Sequence, residues 1–149
     1  MPSRSTTPAL ARIALFAVLA LALGACDLVG EVGARSWTLA STNQAGTEHT
    51  IAVTDRSGLV ADVAFAPPDA NLFEPVTAVP GDPASLVVAW TGGPCDETTA
   101  VEVTKAGPGL AVAVAIEDNG QPCDSLGLPQ AVRLTFAEPL DPAMVKVTQ

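Results

Sequence analysis

Chemistry in this chain has to come from three cysteines, one histidine and sixteen carboxylates spread over 149 residues. The cysteines are Cys26, Cys95 and Cys123, and no two form a Cys-x-x-Cys unit, the spacing that activates thiols in disulfide oxidoreductases. Two cysteines and the distant His49 do not assemble the four ligands of a structural zinc site. A hydrolase would need a serine or cysteine held against that single imidazole and an acid to orient it. Thr47, Thr50 and Asp55 are the polar neighbours in sequence, and no Gly-x-Ser-x-Gly elbow is present. His49 is therefore expected on the surface of a strand, with no catalytic part and no catalytic residue elsewhere. Gly107 and Gly109 lack the third glycine and following helix of a dinucleotide site and read as a turn.

The carboxylates offer a second chemistry. Asp96 and Glu97 follow one cysteine, Glu117 and Asp118 approach the next, and Asp124 follows it. With Asn119 and loop carbonyls, such a cluster could supply the oxygen ligands of a calcium ion. Its spacing is not that of an EF-hand loop, and Asp118-Asn119-Gly120 is ordinary turn composition. A solvated acidic loop is the expectation, with calcium as the alternative and no other cofactor or metal.

The elements that must position these groups are strands. From Ser36 onward, runs of four to eight residues alternate apolar and polar side chains between clusters of Gly, Pro, Asn and Asp. The runs are Ser36 to Ser41, Glu48 to Thr54, Leu59 to Phe65, Ser85 to Thr91, Thr99 to Lys105, Leu110 to Glu117, Gln130 to Ala137 and Met144 to Val147. Leu86, Val88 and Trp90 share a face, as do Val101 with Val103, Leu110 with Val112, Val114 and Ile116, and Val132 with Leu134 and Phe136. In the third run Leu59, Ala61, Val63 and Phe65 share the face expected to be buried, and Ser57-Gly58 ahead of it has hairpin chemistry. No uninterrupted helical period appears beyond Cys26. The expected fold is all-β: a single antiparallel β-sandwich, immunoglobulin-like in architecture, of about eight short strands with one disulfide. Ala66 to Ala84 breaks the rhythm with five prolines. It is expected to be a strap in which Leu72-Phe73 and Val76 to Val79 pack across the sandwich end as a satellite core, with room for a short edge strand, the alternative being a partner-binding loop that presents Phe73.

Ahead of the strands, Met1 to Arg12 carries Arg4 and Arg12 and no acid, and Ile13 to Leu23 is apolar. This has the form of an export signal, and its eleven apolar residues fall short of the roughly 20 needed to span a bilayer core. No twin-arginine pair is present. The segment closes on Leu23-Gly24-Ala25-Cys26, which resembles the lipobox of bacterial lipoproteins. That resemblance implies removal of residues 1–25 and a diacylglyceryl lipid with further acylation on Cys26. It also implies a chain exported and anchored to the outer face of the cell membrane or in the periplasm. Asp27 resembles the inner-membrane retention signal of Gram-negative lipoproteins. Residues 26–35 then form the lipidated cysteine with an acidic tether, and 36–149 the sandwich domain. Trp37-Thr38-Leu39 resembles the opening of the META/heat-shock-lipoprotein β-domain family, but the later Gly-Cys-Asn signature is missing and nothing is carried over.

With Cys26 committed to lipid, Cys95 and Cys123 remain as a pair, permitted by an oxidising compartment. Hairpin geometry supports them. If Ala106-Gly107-Pro108-Gly109 turns one run into the next, facing residues have numbers summing to about 215, and the two cysteines fall just beyond the hairpin's open end. Closing that loop of 29 residues stabilises the fold by roughly 3–4 kcal/mol in the chain-entropy model. Residues 1–25 hold two of the seven basic residues and no acid, so the remainder carries a charge of about −11, which argues against nucleic acid. The expected role is a non-enzymatic binding or adaptor module with an envelope protein partner. The alternatives are a stress or maintenance lipoprotein modulating an envelope enzyme, and a calcium-binding or hydrolytic envelope protein.

Overall fold

Strands with one apolar face each have to stack in two layers to hide those faces from water, and here nine strands do so among the described residues. The computed structural model describes residues 33–42, 46, 48–118, 120 and 127–149, with the backbone alone at Asp118. In chain order the strands are β1 (Arg35–Thr42), β2 (Glu48–Asp55), β3 (Val60–Phe65), β4 (Val76–Val79), β5 (Asp82–Gly92), β6 (Asp96–Ala106), β7 (Gly109–Asp118), β8 (Leu128–Phe136) and β9 (Val145–Thr148). β4 forms inside the proline-rich segment at Val76–Val79, as the short edge strand for which the strap left room. A short 3-10 turn, Pro142–Met144, is capped by the Asp141 side chain and leads into β9.

One sheet has the order β1-β2-β6-β7-β9 and the other β3-β8-β5-β4. Their inner faces meet in a single cluster. Ile51, Val53, Val101, Val103, Leu110, Val112, Val114 and Val145 come from the first sheet, and Val60, Val63, Leu86, Val88, Trp90, Val132, Leu134 and Phe136 from the second. Each such side chain contributes roughly 1.5–3 kcal/mol on burial, which is why alternation dictates the layering. The β6–β7 hairpin has the register its turn demands, with Val101 opposite Val114, Val103 opposite Val112 and Ala106 opposite Gly109. Gly107 leads the turn at φ +60°, a conformation that suits a glycine in the first central position of a two-residue hairpin loop.

An all-antiparallel sandwich is not what forms. β2 pairs with β6, and β7 with β9, in parallel. Connectivity is the cause: β3, β4 and β5 all lie in the other sheet between β2 and β6, and β8 does so between β7 and β9. The chain therefore crosses to the second sheet and returns in its original direction.

The turn at Ser57-Gly58 is likewise a corner between sheets, not a hairpin, because β2 pairs with β1 and β6 while β3 pairs with β8. Asp55 makes the corner. Fully buried, its Oδ1 accepts from Ser57 N at 2.7 Å and Ser57 Oγ at 2.5 Å, and its Oδ2 accepts from Val60 N at 3.1 Å. Beyond the corner the face of β3 expected to be buried is wrong except at Val63. A bulge between Val60 and Asp62 shifts the phase, burying Val60 and Val63 and leaving Leu59, Ala61 and Phe65 outside the core.

Candidate functional site

The site is built on the second half of β5, where Trp90-Thr91-Gly92-Gly93 runs out of the sheet. Trp90 points inward and is 5% exposed. A buried indole N–H needs an acceptor, and β8 supplies it: Gln130 lies opposite Trp90 in register, and Trp90 Nε1 donates to Gln130 Oε1 at 3.1 Å. The other end of the same amide donates from Nε2 to Asp96 Oδ2 at 3.2 Å, and Gly93 N donates to that oxygen at 2.8 Å. Asp96 belongs to the first sheet and Gln130 to the second, so this polar chain ties the two layers together at one end of the sandwich. The two glycines are required for space. A Cβ on Gly92 would lie 2.5 Å from Asp96 Oδ2 and against Gln130 Nε2, and one on Gly93 would lie 2.9 Å from Asp96 Oδ1.

Above Trp90 opens a cleft of about 450 Å³, within the size range of small-molecule and peptide-anchor pockets. Leu72, Phe73 and Pro75 of the proline-rich segment form one wall, Pro129 and Val147 stand among the others, and Trp90 lies at its base. Leu72 is half-buried, but Phe73 is 91% exposed at the mouth, so the segment does not pack Phe73 into a satellite core as expected. Two bonds, one local and one to β5, explain this. Asn71 Oδ1 accepts from Phe73 N at 3.2 Å, a side-chain turn that swings the backbone outward, and Pro75 O accepts from Ala89 N at 3.1 Å, which pins the segment again before β4. Between those two anchors the chain arches over the sheet edge and displays the phenyl ring.

On the same side, β4 stops pairing with β5 at Val88. Thr91 therefore presents its backbone N–H and C=O on the β4 side, away from β8, and the Gln149 side chain takes up both. Thr91 N donates to Gln149 Oε1 at 3.4 Å, and Gln149 Nε2 donates to Thr91 O. Glu74 is the only charged residue among the described residues lining the cleft. A second cleft of about 320 Å³, bounded by Leu59, Phe136, Pro139 and Leu140, is more apolar.

The residues singled out from sequence fare differently. Asp96 is 4% exposed with Oδ2 committed to Gly93 and Gln130, whereas Glu97 and Glu117 face solvent. The side chain of Asp118, together with Asn119, Cys123 and Asp124, lies outside the described residues, as do Cys26 and the whole of the segment before it. No group of three His, Cys, Asp or Glu side chains able to hold a metal occurs among the described residues. Cys95 is disulfide-bonded, with both other cysteines outside the described residues.

His49 was expected at the surface and is instead 5% exposed, within 3.1 Å of Thr99 Oγ1. The parity of β2 explains the correction, since residues 49, 51, 53 and 55 all face inward. The same parity places His49 and Asp55 at opposite ends of one face, about 20 Å apart along the strand, so they form no catalytic pair.

Gln130 and Gln149 were not singled out from sequence. The signal available for Gln130 was a polar residue in phase with Val132, Leu134 and Phe136, where a buried amide must have partners. Nothing in the sequence marked Gln149. Comparison with family models, with curated proteins and with solved structures gives no match to this chain.

Proposed function

We propose that the chain is a lipid-anchored, extracytoplasmic, non-enzymatic binding module. In this reading residues 1–25 are removed and Cys26 carries the lipid. The domain, immunoglobulin-like in architecture and stapled by a Cys95–Cys123 disulfide, holds its cleft toward a partner in the envelope. The observation that carries the binding role is Phe73. A phenyl ring 91% exposed beside a cleft that is also lined by the edge of the buried Trp90 is the arrangement of an aromatic anchor at an interface, because water is displaced from the phenyl ring when a partner docks. Two acyl chains hold such a module stably, each buried methylene adding about 0.8 kcal/mol.

The test pairs two substitutions. Cys26→Ala is expected to abolish metabolic palmitate labelling and release the chain from the membrane. Phe73→Ala is expected to reduce cross-linking to envelope protein at least tenfold while leaving the melting temperature unchanged. Undiminished cross-linking by Phe73→Ala rejects the cleft as the binding site, and unchanged labelling of Cys26→Ala rejects the anchor.

A further inference from the structure

The open edge of β5 beside Phe73 is already occupied by an amide. In an antiparallel sheet, alternate residues direct N–H and C=O to alternate sides. Leu86, Val88, Trp90 and Gly92 serve β8, and Val87, Ala89 and Thr91 serve the β4 side. β4 pairs with β5 up to Val88, and Pro75 O then holds Ala89 N–H. One step further, Thr91 has no strand beside it. The Gln149 amide donates to its carbonyl and accepts from its N–H, the pair of bonds that one facing residue of an added antiparallel strand would make through its own N–H and C=O.

We infer that this edge takes an extended peptide segment of a partner protein, which adds to the sheet at Thr91 after displacing the Gln149 side chain, with an apolar residue in the Trp90 cleft. The inference rests on the binding role proposed above and names the chemistry of the partner. Strand addition draws affinity from main-chain bonds and selectivity from pockets for alternate side chains, and the cleft beside Phe73 is such a pocket. Charge specifies the segment further. The chain carries a formal net charge of −9, and Glu74 is the only charged residue among the described residues lining the cleft. A segment with a basic residue next to its apolar anchor complements this edge, and an acidic segment does not.

Gln149 then acts as a removable plug. It is exposed, its two bonds mimic the ligand, and an edge left bare would invite unselective pairing. A plug held by two bonds of ordinary net strength lowers apparent affinity on the order of tenfold, since only the unplugged fraction binds.

The probe is a short acetylated, amidated peptide of alternating lysine and valine, titrated by calorimetry into the purified full chain. Controls are the same peptide with alternate amides N-methylated and a version with glutamate in place of lysine. Expected results are binding by the parent peptide, tightened on the order of tenfold in Gln149→Ala, weakened at least tenfold by N-methylation or by glutamate, and weakened in Glu74→Lys. Absence of binding by all three peptides overturns the inference. So does equal binding of the N-methylated peptide, or an unchanged affinity in Gln149→Ala. If binding survives N-methylation yet falls in Phe73→Ala, strand addition is wrong and the cleft stands as a binding site; if Phe73→Ala also changes nothing, both fail. Concentration-dependent dimerisation of Gln149→Ala without peptide would assign the edge to a second copy of this chain and overturn the partner segment.

Discussion

Cutting the polar chain from Trp90 through Gln130 to Asp96 is the sharpest perturbation of the site's foundation. Gln130→Ala leaves the indole N–H of a tryptophan that is 5% exposed with its only observed acceptor gone, and takes one donor from a carboxylate that is 4% exposed. An unpaired buried donor costs about 1–3 kcal/mol, and the lost bond to Asp96 adds to it, so the single change should destabilise the domain by about 3 kcal/mol. Trp90→Phe removes the donor and part of the ring from the core, for about 2 kcal/mol. Independent sites would make the double variant the sum of the two. Here the second change removes the group that the first left unpaired, so the double variant should be less destabilised than the sum by about 1.5 kcal/mol.

The assay is urea unfolding followed by circular dichroism, because tryptophan emission is itself altered in half of the set. With a slope of roughly 1–3 kcal/mol per molar urea, the Gln130→Ala midpoint should fall by about 1–3 M. Additivity within about 0.3 kcal/mol would show that Trp90 and Gln130 do not depend on one another and that their hydrogen bond carries no weight in the fold.

Three further outcomes follow from other parts of the structure. Asp55→Ala strips the acceptor from Ser57 N, Ser57 Oγ and the N–H of fully buried Val60, and should cost about 3 kcal/mol in chemical denaturation; a loss under about 1 kcal/mol would mean the corner is held by something else. Reduction should raise the intact mass by the hydrogens of one opened disulfide and lower stability by roughly 3–4 kcal/mol, while free thiols at Cys95 and Cys123 in unreduced protein would reject the pairing. Millimolar calcium should leave the melting temperature unchanged, since Asp96 is already committed to Gly93 and Gln130; a clear rise would restore the acidic cluster as a cation site.

Period-two alternation was enough to determine an all-β, two-layer domain, because a strand buries every second side chain whatever its neighbours are. Thus Leu86, Val88 and Trp90, Val101 and Val103, and Val132, Leu134 and Phe136 face inward as the spacing required. The β6–β7 register was equally local, set by a short turn between adjacent strands. Where the reading failed, the deciding contact was distant in sequence. The phase of β3 depends on a bulge against β8, the burial of His49 on the parity and position of β2 beside β6, and the parallel pairings on which sheet each intervening strand joins.

The candidate site is the extreme case. Phe73 was legible as one of two roles, but its exposure was decided by bonds from Asn71 and Ala89 that shape the arch. The Trp90 to Gln130 to Asp96 chain spans 40 and 34 residues of sequence, and the Gln149 to Thr91 pair spans 58. No residue type or local spacing encodes such meetings. Local patterning specifies which face of a strand is apolar, and only the packing of two sheets decides which buried polar groups are brought within hydrogen-bonding distance and which stretch of strand edge is left for a partner.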